Sequence, residues 1–149
     1  MKKTVTVLLA GLAAAMLIAT AACAENWERI AGTPDFKCYL DTDSVAMKNF
    51  NGAGYVTVKV KTVLTTAADS NLKEGKTYDT IVDEWVCDPF EKAFFIVKTE
   101  QFNGKKKIAK EKTKIDTAAF AGISKWSTAE VIYDQAMHIF KENRKAKKK

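Results

Sequence analysis

The chain has 149 residues, of which 24 are basic and 18 acidic, so its formal net charge is +6. The last nine residues hold six of the bases and one acid, and Lys2 and Lys3 add two bases at the N-terminus. The rest of the chain, without these two groups, carries 16 bases and 17 acids. This near balance argues against a nucleic-acid-binding domain with a high isoelectric point. A chain of this length supplies one hydrophobic core rather than two.

Residues 1–24 are typical of a signal peptide. Lys2 and Lys3 precede an uncharged apolar run, residues 5–18, which is shorter than the span of about 20 residues that a bilayer requires. Ala22-Cys23-Ala24 fits the small-x-small cleavage pattern. The sequence therefore predicts an exported chain that begins at Glu25.

Cys23 has two interpretations. Cleavage after Ala24 removes it, but Thr20-Ala21-Ala22-Cys23 also resembles the end of a lipoprotein signal, in which the cysteine is acylated and becomes the first residue. An aliphatic side chain is more usual where Thr20 stands, so plain cleavage is favoured. In the lipidated alternative, several acyl chains would be needed for stable anchoring in a membrane.

Cys38 and Cys87 remain after cleavage. An even number of cysteines in an oxidising compartment argues for a disulfide between them. The alternative is two unpaired thiols buried in strands, because free cysteine is among the most buried residue types.

Alternating side chains predict an antiparallel sheet. Short strands are expected at NWERI and FKCYLD, and NGAG marks a turn before the strongest strand, YVTVKVKTVL. In that strand Val56, Val58 and Val60 alternate with Lys59 and Lys61, so one face is buried and the other is in water. TIVDEWVCD is the next expected strand.

A hairpin is predicted in FFIVKTEQFNGKKKIAKEK. Asn103-Gly104 suits a two-residue type I′ turn. That turn would place Glu100 directly opposite Lys107, which is a favourable cross-strand pair.

A helix is predicted after Ser127, which forms a capping box with Glu130. Apolar residues then recur at helical spacing and favour packing on the sheet. They are Ala129, Ile132, Tyr133, Ala136, Met137, Ile139 and Phe140. The predicted fold is α+β, an antiparallel β-sheet with one C-terminal amphipathic helix packed on it. The predicted domain is 25–140, followed by a basic tail, 141–149.

The tail is a candidate for electrostatic contact with anionic lipid, acidic polysaccharide or an acidic protein. The alternative is a solubilising helix end, where bases are also favoured. The residues concerned are Arg144, Lys145, Lys147, Lys148 and Lys149.

No catalytic, cofactor-binding or metal-binding residue is predicted. His138 is the single histidine, and it falls on the polar face of the predicted helix. The stretch Asp41 to Ser44 lacks the spacing of a calcium loop and is interpreted as a turn cap. Asp83 and Glu84 are adjacent on a strand and point to opposite faces, so they cannot act as an acid–base pair.

Asp83, Glu84 and Asp88 are interpreted as surface charge. Trp27, Trp85 and Trp126 are interpreted as packing residues. Trp126 precedes the helix cap and could instead form a hydrophobic staple with Val131 or a neighbouring residue.

Several motifs resemble the surface-adhesin protein E-like family. They are W-x-R-I at 27–30, CYLDTDSV at 38–45, the valine-rich strand from Tyr55, EWVCD, FNGKK and GISKWSTAEVIYDQA, and they span residues 27–136. The resemblance implies a small exported bacterial domain with an antiparallel sheet and a C-terminal helix. The family's founding member is a surface lipoprotein that binds host matrix and plasma proteins and can dimerise.

The predicted function is that of an exported, non-enzymatic, adhesin-like binding module of the bacterial envelope or surface. Its partner would be a protein or an envelope component, with host matrix proteins and a homodimer implied by the resemblance. Neither a cofactor nor nucleic acid is expected, and contact with a membrane would come only through lipidation. The alternatives are a periplasmic accessory protein that binds envelope components and an uncharacterised enzyme.

Overall fold

The structure is a computed structural model that describes residues 24–148. It is an eight-stranded antiparallel sheet with one C-terminal helix packed on it, so the predicted α+β class is confirmed. Cys23, Lys149 and all of the predicted signal peptide except Ala24 lie outside the described residues. The strands are β1 (Trp27–Gly32), β2 (Phe36–Asp41), β3 (Ala46–Phe50), β4 (Ala53–Asp69), β5 (Thr77–Asp88), β6 (Ala93–Asn103), β7 (Lys106–Lys112) and β8 (Ala121–Gly122), and the helix is α1 (Thr128–Ala146).

The strands follow one another across the sheet in the order β1-β2-β4-β5-β6-β7. Two short strands are additions to this order, because β3 pairs with one end of β4 and β8 pairs with the start of β6. A two-residue turn at Asn51 and Gly52 joins β3 to β4, as the NGAG stretch predicted. Both residues have positive φ, 51° and 83°, which is the requirement of a type I′ turn.

The hairpin between β6 and β7 turns one residue later than predicted. Asn103 pairs with Lys106, so the two-residue loop is Gly104 and Lys105. Gly104 takes a φ of 56°, whereas Asn103 is not among the described residues with positive φ. The glycine alone supplies the positive φ, so the turn forms around it and Asn103 remains in the strand.

The register of this hairpin also differs from the prediction. The shifted turn and an irregularity in the pairing between residues 101 and 102 place Lys110, rather than Lys107, opposite Glu100. Lys107 still reaches Glu100, with 2.6 Å between its Nζ and the carboxylate Oε1. The predicted register was therefore wrong, although the predicted ion pair exists.

The main core lies between the sheet and α1. Ser127 caps the helix by accepting a hydrogen bond from the N–H of Glu130, as predicted. Tyr133 donates its hydroxyl hydrogen to the carbonyl of Asp88 at 2.9 Å, which attaches the start of the helix to the end of β5. The helix contributes Ile132, Tyr133, Ala136 and Met137, and the strands contribute Cys38, Leu40, Val56, Val58, Val60, Trp85 and Cys87.

A second apolar cluster covers one end of the opposite sheet face. After β7 the chain returns across that face, and Phe120 packs on Tyr55 and Phe95 with ring centroids 5.4 and 5.7 Å apart. Tyr55 is only 7% exposed as a result. Among residues 24–148, no helix covers the rest of this face.

Helix α1 continues past the predicted domain boundary at residue 140 and ends at Ala146. The first residues of the predicted tail therefore form the last turns of the helix. There Arg144 lies over the ring of Phe140 at 5.8 Å, and Lys145 forms an ion pair with Glu142 at 2.8 Å. No helix in the described part of the chain is both long enough and apolar enough to cross a membrane.

The predicted disulfide is wrong for this fold, because Cys38 and Cys87 are both free and buried. Cys38 lies opposite Thr62 of β4, and Cys87 lies opposite Val56 on the other side of the same strand. These partners are six positions apart on β4, which corresponds to about 20 Å along the strand. A disulfide requires Cα atoms within about 7 Å of each other.

Both thiols should be unreactive in the folded protein. Burial raises the pKa of Cys87 to about 12 and also raises that of Cys38, so little reactive thiolate forms at neutral pH. A chain starting at Glu25 should react negligibly with a thiol reagent when folded and should release two thiols in denaturant without reduction. Finding no free thiol in denaturant would mean that a disulfide exists.

Serine variants of the two cysteines provide a second test for a disulfide. Cys38→Ser and Cys87→Ser alter sites that are far apart, so their losses of unfolding free energy should add in the double variant. A disulfide would instead make the double variant no less stable than either single variant.

Candidate functional site

The helix-free face of the sheet is unusually rich in cations. Lys59 and Lys61 of β4 alternate with the valines that pack under α1, so they point to the opposite side. Strand pairing extends this face to the neighbouring strands, because directly paired residues share a face. The cations placed on it are Arg29, Lys37, Lys48, Lys59, Lys61, Lys98, Lys107, Lys110 and Lys112, which we call the lysine face.

Few carboxylates are interleaved with these cations. Glu84 lies between Lys59 and Lys98 in the cross-strand pairing, and Glu100 lies next to Lys110. Two further acids occupy strand positions on this side, Asp41 and Asp88, and both accept backbone hydrogen bonds at strand ends. Glu25, just before β1, also forms an ion pair with Lys59 at 3.3 Å, so the nine cations of the lysine face outnumber five carboxylates.

Glu100 is a carboxylate of the lysine face that three lysines surround. It is 9% exposed and is approached by Lys107 at 2.6 Å, Lys98 at 3.0 Å and Lys110 at 4.0 Å. Burial by itself would raise the pKa of Glu100, but hydrogen bonds from Lys107 and Lys98 outweigh it and hold the pKa below its ordinary value. Glu100 is therefore a fixed anion that keeps several lysines close together.

At the β1–β2 end of the lysine face, Lys61 lies against two aromatic rings. Its Nζ is 4.3 Å from the ring centroid of Trp27 and 5.2 Å from that of Tyr39, both of which are cation–π distances. Partial burial lowers the pKa of Lys61, while the charges of Glu25 and Asp41 act in the opposite direction. The Trp27 indole N–H is satisfied by the Glu25 carboxylate at 3.1 Å.

A concave region lies beside the centre of the face. It has a volume of about 550 Å³ and is lined by Glu84, Val97, Lys98, Lys112, Thr113 and Lys114. Lys48 also reaches this region, because its Nζ is 3.2 Å from Glu84. Four lysines thus surround one carboxylate here, which leaves room and charge for an anionic group of a ligand.

Sequence reasoning missed this face because it summed charge along the chain. Between the signal lysines and the last nine residues, bases and acids nearly cancel. The sheet separates them, because Glu28, Asp83 and Glu111 pair into the helix side. A charge count taken at alternate residues of each predicted strand could have found the segregation.

Asp41 and Ser44 form the turn cap that the sequence predicted. Asp41 is 3% exposed, and its Oδ1 accepts from the backbone N–H of Asn26 at 3.0 Å and of Asp43 at 3.2 Å. The Ser44 hydroxyl donates to the carbonyl of Asp41 at 2.7 Å and accepts from the N–H of Lys59 at 2.8 Å. These bonds join the start of β1 and the turn after β2 to β4.

Asp83 is not the surface charge that was predicted. It lies on the helix side, opposite Val60 of β4, while the adjacent Glu84 lies on the lysine face. Burial raises its pKa above the ordinary value of 3.8, although a 2.6 Å hydrogen bond donated by the Thr99 hydroxyl acts in the opposite direction. The prediction that Asp83 and Glu84 point to opposite faces is confirmed.

The three tryptophans occupy different environments. Trp85 is 6% exposed and stacks on Phe94 at 4.1 Å, as a packing residue should. Trp126 is 97% exposed, so neither packing nor a staple with Val131 describes it. Its backbone N–H instead donates to the carboxylate of Glu130 at 2.7 Å.

The remaining candidates stay separate from the lysine face. His138 is exposed on α1, and Arg144, Lys145, Lys147 and Lys148 lie at the C-terminal end of that helix. The helix packs on the other side of the sheet, so the tail and the lysine face are two distinct basic regions. No group of three or more potential metal ligands occurs among residues 24–148.

Asp83→Asn should stabilise the protein at neutral pH. Because the pKa of Asp83 is raised in the folded state, stability is lost as the pH rises from 3.8 through the folded-state pKa. Asparagine removes this charge penalty and can still accept from Thr99. We expect a rise of a few degrees in Tm at neutral pH that shrinks as the pH falls through the folded-state pKa and disappears below about 3.8.

Glu84→Gln is the matched control, since it neutralises the next residue on the opposite face. It removes the ion pair with Lys48 and should leave Tm unchanged or slightly lower. If Asp83→Asn lowers Tm at neutral pH, the carboxylate contributes favourable interactions that exceed its desolvation.

No family model matches the chain, and no curated protein or solved structure matches it at a significant level. The relation to the surface-adhesin protein E-like family therefore stays a prediction that rests on the sequence motifs.

Proposed function

We propose that the chain is an exported, non-enzymatic binding module of the bacterial cell envelope or surface, and that the lysine face is its binding surface. The observation that carries the proposal is the segregation of charge, which leaves nine cations on a sheet face with no helix over it. The predicted signal peptide supplies the export.

The chemistry of this face favours binding over catalysis. A general base should have a pKa near the working pH and a free lone pair for the incoming proton. The lysines around Glu100 instead hold its pKa low, and Glu84 is engaged by Lys48 at 3.2 Å. Both carboxylates thus organise the lysines around them, and the lysines are suited to hold an anionic partner.

The lysine face is also supported by a rigid base. Beneath it, Val56, Val58 and Val60 of β4 pack against α1 with at most 2% exposure. Ser44 and Asp41 fasten the turn after β2 through backbone hydrogen bonds. A binding surface built on paired strands holds its charges in a defined pattern.

The intact mass of the protein from a bacterial host tests the export. Signal cleavage predicts a chain that begins at Glu25, and lipidation predicts a chain that begins at acylated Cys23. Cys23→Ala is the matched variant, because it abolishes the lipid-bearing form but leaves plain cleavage possible. A chain that keeps residues 1–24 and stays in the cytoplasm would contradict the proposal.

Protease treatment of intact cells separates the two envelope locations. Digestion of the wild-type protein on whole cells indicates display at the surface, whereas digestion only after the outer membrane is opened indicates a periplasmic module.

A further inference from the structure

We propose that the lysine face binds a linear acidic polysaccharide, that is, a polymer with carboxylate or sulfate groups on successive repeats. This inference rests on the proposed function, because it names the ligand class of the same face. The spacing of the cations, the contacts of the aromatic rings and the positions of the exposed apolar residues favour this ligand class.

Eight of the nine cations form two groups on either side of β5, and Lys48 lies apart from them on β3. One group lies on β1, β2 and β4 and comprises Arg29, Lys37, Lys59 and Lys61. The other lies on β6 and β7 and comprises Lys98, Lys107, Lys110 and Lys112. Same-face residues on one strand are about 7 Å apart, and neighbouring strands are about 5 Å apart.

This spacing suits a polymer with repeated single charges. A chain lying across the sheet would meet a cation of the first group, cross β5, and meet the second group two strands further on. Lys37, Lys61 and Lys112 form no ion pair with another described residue, so their charges are available to a ligand. The concave region between Lys98 and Lys112 could seat one acidic group.

Protection of a sheet edge does not explain why lysines also lie on interior strands. Lysines on an edge strand discourage pairing with another molecule, and β7 is an edge strand. Lys59 and Lys61 lie on β4, whose neighbours include β5 on one side and β2 on the other. Such interior positions have no exposed edge to protect.

The aromatic rings argue against single-stranded nucleic acid. Proteins that bind it stack bases on free aromatic faces. Here Lys61 lies over Trp27 and Tyr39, and Lys107 lies over Phe102 at 5.6 Å. The rings are already in contact with lysines of the same chain, which orient the ammonium groups.

The exposed apolar residues argue against a membrane surface. Membrane-associated faces combine cations with large apolar side chains that enter the lipid. The exposed large apolar residues of the described chain are Met47, Phe90, Trp126 and Val131. Met47 pairs with Val56 on the helix side, and the others lie in the β5–β6 turn and at the start of α1. The lysine face therefore lacks an apolar anchor.

The test is binding of the chain that begins at Glu25 to size-fractionated heparin at an ionic strength of about 0.15 M, with neutral dextran as control. The face variant combines Lys37→Gln, Lys110→Gln and Lys112→Gln. The tail variant combines Arg144→Gln, Lys147→Gln and Lys148→Gln, which is the same change in charge at the other basic region.

We expect the wild-type chain to bind heparin but not dextran. The face variant should bind about tenfold more weakly, because three exposed ionic contacts of ordinary strength amount to about that factor. The tail variant should bind like the wild type. Replacing the same three face lysines with arginine should preserve binding, which also keeps the test valid if the glutamine variant unfolds.

Four results would overturn the inference. They are absence of heparin binding by folded protein, loss of binding in the tail variant alone, tighter binding of single-stranded oligonucleotide than of heparin, and binding to anionic vesicles that heparin does not compete away. If the protein is exported but does not bind heparin, this inference fails and the proposed function stands. A chain that keeps its signal peptide and stays in the cytoplasm would contradict the proposed function itself.

Discussion

The organisation of this protein depends on β4, a strand of 17 residues that serves both faces of the sheet. One half pairs with β3 and the other half with β2, while β5 runs along the opposite side. Because side chains alternate along a strand, the valines at 56, 58 and 60 pack under α1, and Lys59 and Lys61 emerge on the other side. The core and the lysine face are thus two consequences of one alternating segment.

Two carboxylates illustrate how the faces differ. Glu100 lies on the lysine face, where Lys107 and Lys98 hold its pKa low, while Asp83 lies on the helix side, where burial raises its pKa. Both acids lie on paired interior strands, Asp83 on β5 and Glu100 on β6. The sheet itself separates their environments, since side chains that point to opposite faces meet different neighbours.

Much of the fold was predictable because its signals are local. The alternation in YVTVKVKTVL, the Asn51-Gly52 turn and the Ser127 cap each act within a few residues, and each was interpreted correctly. The hairpin at Gly104 was missed by one residue because Asn-Gly suits more than one turn position. The Cys38–Cys87 disulfide was wrong because an even cysteine count carries no information about distance.

The sequence by itself determined the α+β class, the strand that supplies the core and the cap that starts the helix, because hydrophobic periodicity and turn chemistry are properties of neighbouring residues. Only the tertiary structure decided the candidate site. Cations from β1, β2, β3, β4, β6 and β7 reach one surface through strand pairing. A count at alternate residues of each strand can sort charges by face, but register is set by long-range hydrogen bonds, bulges and turn position, so how the cations of different strands line up cannot be predicted from the sequence alone.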